Sequence, residues 1–244
     1  IAFRVQEDQL KNSLDSLRAI KIGGFNVTMP HKVKVLDYVD RKDNTVQLVG
    51  AANTVNNENG KFCAYNTDVI GFIKPLHERK VDFNGFEVFI LGAGGAARAI
   101  AVGLSGEKGI RNINIYNWNT ERAVKLSNIV KKMGLESTII SNDDIQNTAS
   151  KCNLIINATP LGMNNEKSLI KSSSIRKEAI VYDIVYKPII TNLVENAKTA
   201  GAEIIYGYEM LLEQATASFK IWLQMDPPVE SMKKALFGLF GEPA

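Results

Sequence analysis

The chain predicts an α/β protein built as two units: a mixed α/β unit over residues 1–80 and a parallel, doubly wound sheet after it. Three observations carry this. From residue 86 onward, strand-length apolar runs alternate with segments of helical period, the pattern of βαβ units. The first of these strands runs into a glycine-rich turn, Gly92-Ala93-Gly94-Gly95-Ala96-Ala97, with a helix behind it. The first unit instead carries Asn57-Glu58-Asn59-Gly60 between two strand-like runs, a hairpin signal because Asn and Gly tolerate positive φ.

The elements follow in order. Residues 1–5 (IAFRV) are strand-like, and Leu10, Leu14 and Leu17 give residues 8–20 a helical spacing. Residues 25–28 are strand-like, and Pro30 suits a loop entering a helix over 32–40. Residues 52–56 and 61–65 flank the hairpin turn, and 66–68 lead into a helix over 69–79. After Asn84-Gly85 the strands are expected at 86–91, 112–116, 137–140, 154–157 and 180–184. Helices are expected from about Arg98, over 120–133 and near 191–200. The last segments are helical: 208–223, with Leu211, Ala215, Phe219 and Trp222 or Leu223 as its apolar stripe, then 229–240, packed on the first unit.

Composition excludes several classes. With 45% hydrophobic and 23% charged residues, the chain of 244 residues supports a packed core. The net charge of +3 is small and its bases are dispersed, so no nucleic-acid partner is expected. Cys63 and Cys152 belong to no CxxC pattern, and His31 and His77 have no second ligand at metal spacing. Neither a metal nor a disulfide is expected, and a reducing cytoplasm is the default. No apolar run reaches the ~18 residues that span a bilayer, so no membrane is expected. The chain starts at Ile1 without Met, inside a strand-like stretch, and the expectation is that something upstream is missing.

The motif Gly92-x-Gly94-x-x-Ala97 fits a dinucleotide-binding turn. Glycines admit the pyrophosphate to the backbone N–H groups, and the helix N-terminus adds partial positive charge. NAD sites place Asp or Glu at the end of the second strand to bind the ribose 2′-hydroxyl. Here that position is Asn117, followed by Thr120, Arg122 and Lys125, which favours NADP.

Four short segments pair amides, hydroxyls or charges with apolar neighbours: Asn26-Val27-Thr28, Pro30-His31-Lys32, Ala52-Asn53-Thr54 and Asn66-Thr67-Asp68. Converging at strand ends, they would suit a polyhydroxylated small-molecule ligand. Lys32 and Asp68 are the candidate catalytic pair, able to pass a proton to an alkoxide or remove one from an alcohol.

These residues resemble the shikimate dehydrogenase family. GFNVTMPHK (24–32), GAANTV (50–55), YNTD (65–68), GAGGAAR (92–98), NATPLGM (157–163), YDIVYKP (182–188) and GYEMLLEQA (207–215) stand in that family's order. The resemblance implies NADP-dependent interconversion of shikimate and 3-dehydroshikimate, a step of aromatic amino-acid (chorismate) biosynthesis. It implies a Rossmann-type NADP-binding domain over 81–205. It also implies a smaller α/β catalytic domain made of 1–80 with 206–244, closed by the C-terminal helices. Lys32 matches the catalytic lysine and Asp68 its acidic partner. Asn26, Thr28, Asn53, Tyr186 and Gln214 match substrate-contacting positions. Gly92, Ala93, Gly94, Gly95 and Ala96 match the pyrophosphate loop, and Thr159, Ile184, Gly207 and Met210 the nicotinamide side.

Two departures stand out. The family's N-terminal strand and its loop of two serines, which hold the substrate carboxylate, are absent from this chain. The family's Asn-Arg-Thr at the adenosine end is Asn117-Trp118-Asn119 here, so an arginine is missing while Arg122 remains. NADP stays favoured, with use of NAD open. The rivals are an NAD-using quinate/shikimate dehydrogenase and a ligand-binding regulator without turnover. The assembly expected is a monomer or homodimer.

Overall fold

The computed structural model describes residues 1–240. Helix α1, Leu10–Ala19, packs Leu10 and Leu14 against a four-stranded sheet. That sheet runs β1 (Gly24–Asn26), β3 (Thr54–Glu58), β4 (Lys61–Tyr65), β2 (Arg41–Lys42). Strands β3 and β4 form the expected hairpin: Glu58 pairs with Lys61, and the turn between them takes Asn59 and Gly60 at positive φ, 54° and 86°. Helix α2, Asn44–Val49, lies between β2 and β3. It is capped by the Asp43 side chain, which accepts from Val46 N at 2.7 Å, and ends on left-handed Gly50. Helix α3, Asp68–Glu78, leaves β4 and leads into the second sheet.

The second sheet is six-stranded and wholly parallel. Its strands are β5 (Glu87–Leu91), β6 (Asn112–Tyr116), β7 (Ser137–Ile139), β8 (Leu154–Asn157), β9 (Ile180–Asp183) and β10 (Glu203–Tyr206), ordered β10-β9-β8-β5-β6-β7. Helices α4 (Gly95–Ser105), α5 (Thr120–Lys132), α6 (Ile145–Ala149) and α7 (Asn192–Ala200) fall between its strands. Both faces are covered, as β5 shows: Val88 and Ile90 enter one apolar core, Phe89 and Leu91 the other. The strand order reverses at β5 and β8, which opens a crevice at their carboxyl ends, the place where such sheets bind ligands. Helix α8, Gly207–Leu223, then returns to the first sheet, and α9, Val229–Phe240, packs on α8 through Phe237 on the Tyr208 ring.

Several expectations need correction. Residues 1–5 form no strand, since a strand needs a ladder partner. This run instead gives Val5 O to the His31 ring at 2.9 Å. The helix expected over 32–40 is a turn followed by a short 3₁₀ helix, Lys34–Asp37. Lys32 O accepts from Ala52 N and Asp40 N donates to Phe62 O, both at 2.8 Å, so sheet contacts claim the groups a helix would use. β-Branched Val33, Val35 and Val39 also disfavour it. Helix α4 begins three residues before Arg98. The deepest face of α8 is not the expected stripe but Gly207, Met210, Glu213, Thr216 and Ser218, while Leu223 is exposed. Residues 241–244, the end of the expected 206–244 segment, lie outside the described residues.

Helix α3 joins the two sheets. A Cβ on Gly71 would sit 2.8 Å from Gln214 Cβ and 2.9 Å from Met210 O, so α3 and α8 touch backbone to backbone. On the opposite side a Cβ on Gly103 of α4 would meet the Phe72 ring at 3.3 Å, and that ring stacks on Tyr182 of β9 at 5.0 Å. Arg79 ends the helix with ion pairs to Glu209 of α8 and Glu203 of β10. Gly71→Val is therefore expected to lower the unfolding free energy by about 2–3 kcal/mol in urea titration. Stability equal to wild type would contradict this close approach.

Candidate active site

Both sheets turn their site-bearing ends toward a cavity of about 310 Å³. From the first unit, Asn26, Thr28, Lys32, Asn53 and Asp68 line it. From the second unit and α8 come Ala96, Ile184, Tyr186, Gly207, Met210 and Gln214. Every substrate-contact residue expected from the sequence thus faces one space. A more open groove of about 490 Å³ lies along α3 and α8, walled by Asp43, Ile70 and Lys220 among others, and has neither Lys32 nor the glycine turn on its walls.

The polar floor is a closed network. Lys32 Nζ donates to Asp68 Oδ2 at 2.6 Å, with side chains only 18% and 7% exposed. Asp68 is the first residue of α3, where the helix N-terminus favours a carboxylate. Asn53 Nδ2 donates to Asp68 Oδ1 and Thr67 Oγ1, each at 2.9 Å, and reaches Gln214 Oε1 at 3.2 Å. Asn53 Oδ1 in turn accepts from Thr67 N at 2.8 Å. Asn26 Nδ2 donates to Asn53 O at 3.1 Å and to Thr54 Oγ1 at 3.2 Å. Among the described residues no buried side-chain nitrogen or oxygen lacks a partner, so these geometries reinforce one another.

Two contributors were given no role in the sequence reading, although Asp183 stands in its YDIVYKP motif. Ser218 Oγ meets Thr54 Oγ1 at 2.8 Å and Thr67 Oγ1 at 3.1 Å, tying α8 beneath the pair. Its signal is a small hydroxyl four residues after Gln214. Asp183, fully buried at the end of β9, accepts from Asn157, Val185 N and Thr191. Burial pushes its carboxyl up to about 6, and those three hydrogen bonds hold it back from rising further.

The glycine turn stands beside the lysine. A Cβ on Gly95 would lie 3.7 Å from Lys32 Cδ, so the first turn of α4 rests on the lysine stem. Gly92 takes φ 109°, and a Cβ there would come within 2.7 Å of Ala158 O and 3.1 Å of Thr159 Cγ2, the next strand end. Gly94 has open space where its Cβ would be, and α4 carries no side-chain cap. Ala93 is buried behind the turn. A Cβ on Gly207 would strike Val185 O and Ile184 O.

The remaining expected residues lie along the crevice away from the cavity. Thr159 Oγ1 donates to Asn157 Oδ1 at 2.6 Å. Gly92 N donates to Tyr116 O at 2.7 Å, which puts the residues following β6 next to the turn. There Asn117 Nδ2 donates to Asn119 O at 2.9 Å, and Asn119 caps α5 by accepting from Arg122 N. Thr120 and Arg122 are exposed on the first turn of α5, and Trp118 is 79% exposed. No cluster of His, Cys, Asp or Glu among the described residues is arranged for a metal ion, and no described helix is long and apolar enough to cross a membrane.

Comparison with known proteins agrees with this layout. Three family profiles match: the shikimate dehydrogenase substrate binding domain at residues 1–55, shikimate/quinate 5-dehydrogenase at 75–196, and the shikimate 5′-dehydrogenase C-terminal domain at 207–237. The shikimate dehydrogenase (NADP(+)) of Nitrosopumilus maritimus is 43% identical over 240 residues, covering 98% of this chain and 88% of that protein. A crystal structure of a shikimate dehydrogenase in complex with NADP+ superimposes with a TM-score of 0.89 at 36% identity, over 99% of this chain and 85% of its own. The Listeria monocytogenes enzyme, in complex with shikimate and NAD, gives 0.85 at 32% identity over 97% and 85%. With its ordered motifs, its parallel sheet reversing at the glycine turn and its lysine–aspartate cavity, the chain belongs to the shikimate dehydrogenase family.

Proposed function

We propose that the chain catalyses the reversible, NADP-dependent reduction of 3-dehydroshikimate to shikimate, as an enzyme of aromatic amino-acid biosynthesis. The observation that carries the reading is the contact between Gly95 and Lys32, which sets the nucleotide turn and the proton carrier side by side at one cavity. The residues fit the dinucleotide: open space at Gly94, a close strand crossing at Gly92 and an uncapped helix N-terminus together make a cradle for a pyrophosphate. Held there, the nucleotide would supply the redox chemistry: hydride from NADPH for reduction of the substrate carbon, and NADP+ to accept it on oxidation.

The chain's own residues do the rest. In the direction of reduction, the Lys32 ammonium gives a proton to the oxygen of the former carbonyl. In the reverse direction the neutral amine takes it back. Asp68 holds Nζ through Oδ2, while Asn53 fixes Oδ1. Asn26, Thr28, Asn53 and Gln214 supply donors and acceptors for ring hydroxyls, with Tyr186 on the facing wall. Gly92, Ala93, Gly94, Gly95 and Ala96 belong to the pyrophosphate cradle. Thr159, Ile184, Gly207 and Met210 form the nicotinamide side, and Asn117, Thr120 and Arg122 the adenosine end. The working division is a catalytic domain of 1–80 with 206–244 and an NADP-binding domain of 81–205. The strand grouping supports this division to within one residue, since β10 of the six-stranded sheet runs to Tyr206 and α8 starts at Gly207. We place the enzyme in the cytoplasm. Its cysteines are buried and apart, and burial pushes their thiols up to about 11 and about 12, so both stay protonated.

The direct test follows the near-ultraviolet absorbance of NADPH as shikimate is oxidised. Lys32→Ala is expected to lower kcat by about 10²–10⁴-fold with the NADP Kd unchanged. Retained turnover would remove Lys32 from the chemistry. At the adenosine end, Arg122→Gln is expected to weaken NADP by about tenfold while leaving NAD nearly unchanged, because it removes one charged partner of the 2′-phosphate. Trp118→Ala is expected to weaken both by about 1 kcal/mol, the loss of one stacked base. Calorimetric titration with each nucleotide separates these effects, and an Arg122→Gln enzyme with an unaltered NADP-to-NAD ratio would overturn the assignment.

A further inference from the structure

Asp183 is fully buried, and three hydrogen bonds oppose the cost of that burial. An unpaired buried carboxylate is costly, and an apolar residue there would serve packing alone. Its bonds lead outward in two directions. Oδ1 accepts from Asn157 Nδ2 at 2.9 Å and from Val185 N at 3.0 Å, and Oδ2 accepts from Thr191 Oγ1 at 2.5 Å. Asn157, its register partner at the end of β8, uses Oδ1 to hold Thr159 N and Thr159 Oγ1, at 3.1 and 2.6 Å, and Nδ2 to reach Leu161 O at 3.0 Å. Thr191 Oγ1 accepts in turn from Val194 N at 3.3 Å, which brings in the N-terminus of α7. Glu166, on the same loop as Thr159, instead accepts from Gly162 N and Asn164 N.

The two segments so joined border the crevice. Thr159 lies against the Gly92 turn, and Ile184 and Tyr186 line the cavity. We propose that Asp183 is a positioning residue: through Asn157 and Thr191 its carboxylate clamps the loop after β8 to the loop after β9 and so fixes the wall that faces the nicotinamide half of the cofactor. This rests on the reading that NADP lies across the glycine turn. Ala158 and Ile184 pack against one apolar core, and Ile184 N donates to Asn157 O at 3.2 Å, so the two loops already start close together. Beyond those contacts the carboxylate adds the polar tie that reaches Thr159 and Val185, and a shift of that wall changes how the reacting carbon is approached.

The test uses Asp183→Asn and the milder Thr191→Val in the full chain. Calorimetry with 2′,5′-ADP, the adenosine half alone, is expected to give a Kd within about twofold of wild type. NADP is expected to bind about tenfold more weakly, with kcat down about tenfold and the shikimate KM nearly constant. Amide exchange at Thr159 and Val185 is expected to quicken by about tenfold in both variants, a readout that needs neither cofactor nor turnover. Parallel loss of 2′,5′-ADP and NADP, or unchanged NADP binding, kcat and exchange, would overturn the proposal. If wild type itself neither binds NADP nor turns over, the cofactor reading fails, and unchanged exchange in the variants would then sink the clamp separately.

Discussion

Everything in this molecule depends on how closely α3 lies against its neighbours. Helix α3 starts at the site with Asp68 and ends in the second sheet's neighbourhood with Arg79. Between them, Gly71 lets the α8 backbone come up on one side, and Gly103 lets the Phe72 ring come up on the other. With side chains at those two glycines the helices would stand further apart, and Gln214 would leave Asn53. The apolar core thereby sets polar distances: Phe72 stacked on Tyr182 is far from any reacting atom, yet it holds the helix whose first residue binds the lysine.

The network above that helix is held by one amide. Asn53 contributes both its donor and its acceptor atoms, and its backbone takes Val27 N and Asn26 Nδ2 as well. A carboxylate fixed on one oxygen by an amide offers the other oxygen to the lysine in a single orientation. A carboxylate with both oxygens wet would sample several. Preorganisation of this kind spares the transition state the cost of reorienting dipoles.

Much of this was legible in the sequence, and the reasons differ by region. The parallel sheet was readable because strands buried on both faces, such as 87–91, are continuous apolar runs, and the Asn59-Gly60 turn admits few alternatives. The short pieces were not readable. Strand β2 has two residues, and α2 has six, although Asp43 and Gly50 bracket it with cap signals. Strand β10 follows α7 so closely that Ile204 and Ile205 merge with the turn before it. The segment after Pro30 failed for another reason: the proline suggested a helix entry, but sheet contacts to Ala52 and Phe62 claimed the backbone that follows. Within the site, motif residues were found because several polar types recur together. Ser218 and Asp183 were not, because each acts from a position that local pattern assigns to packing.

The seating of Gly95 on the Lys32 stem has a consequence for wetting. The backbone of Lys32 is moored in the first sheet by its carbonyl to Ala52, while its methylenes are roofed by a helix of the other unit. Parting the two units by the width of a single water molecule would lift that roof, admit solvent along the stem and raise the local dielectric around the ammonium and its carboxylate. The lysine stem thus lies at the seam between the two units, and its pairing with Asp68 depends on that seam staying dry.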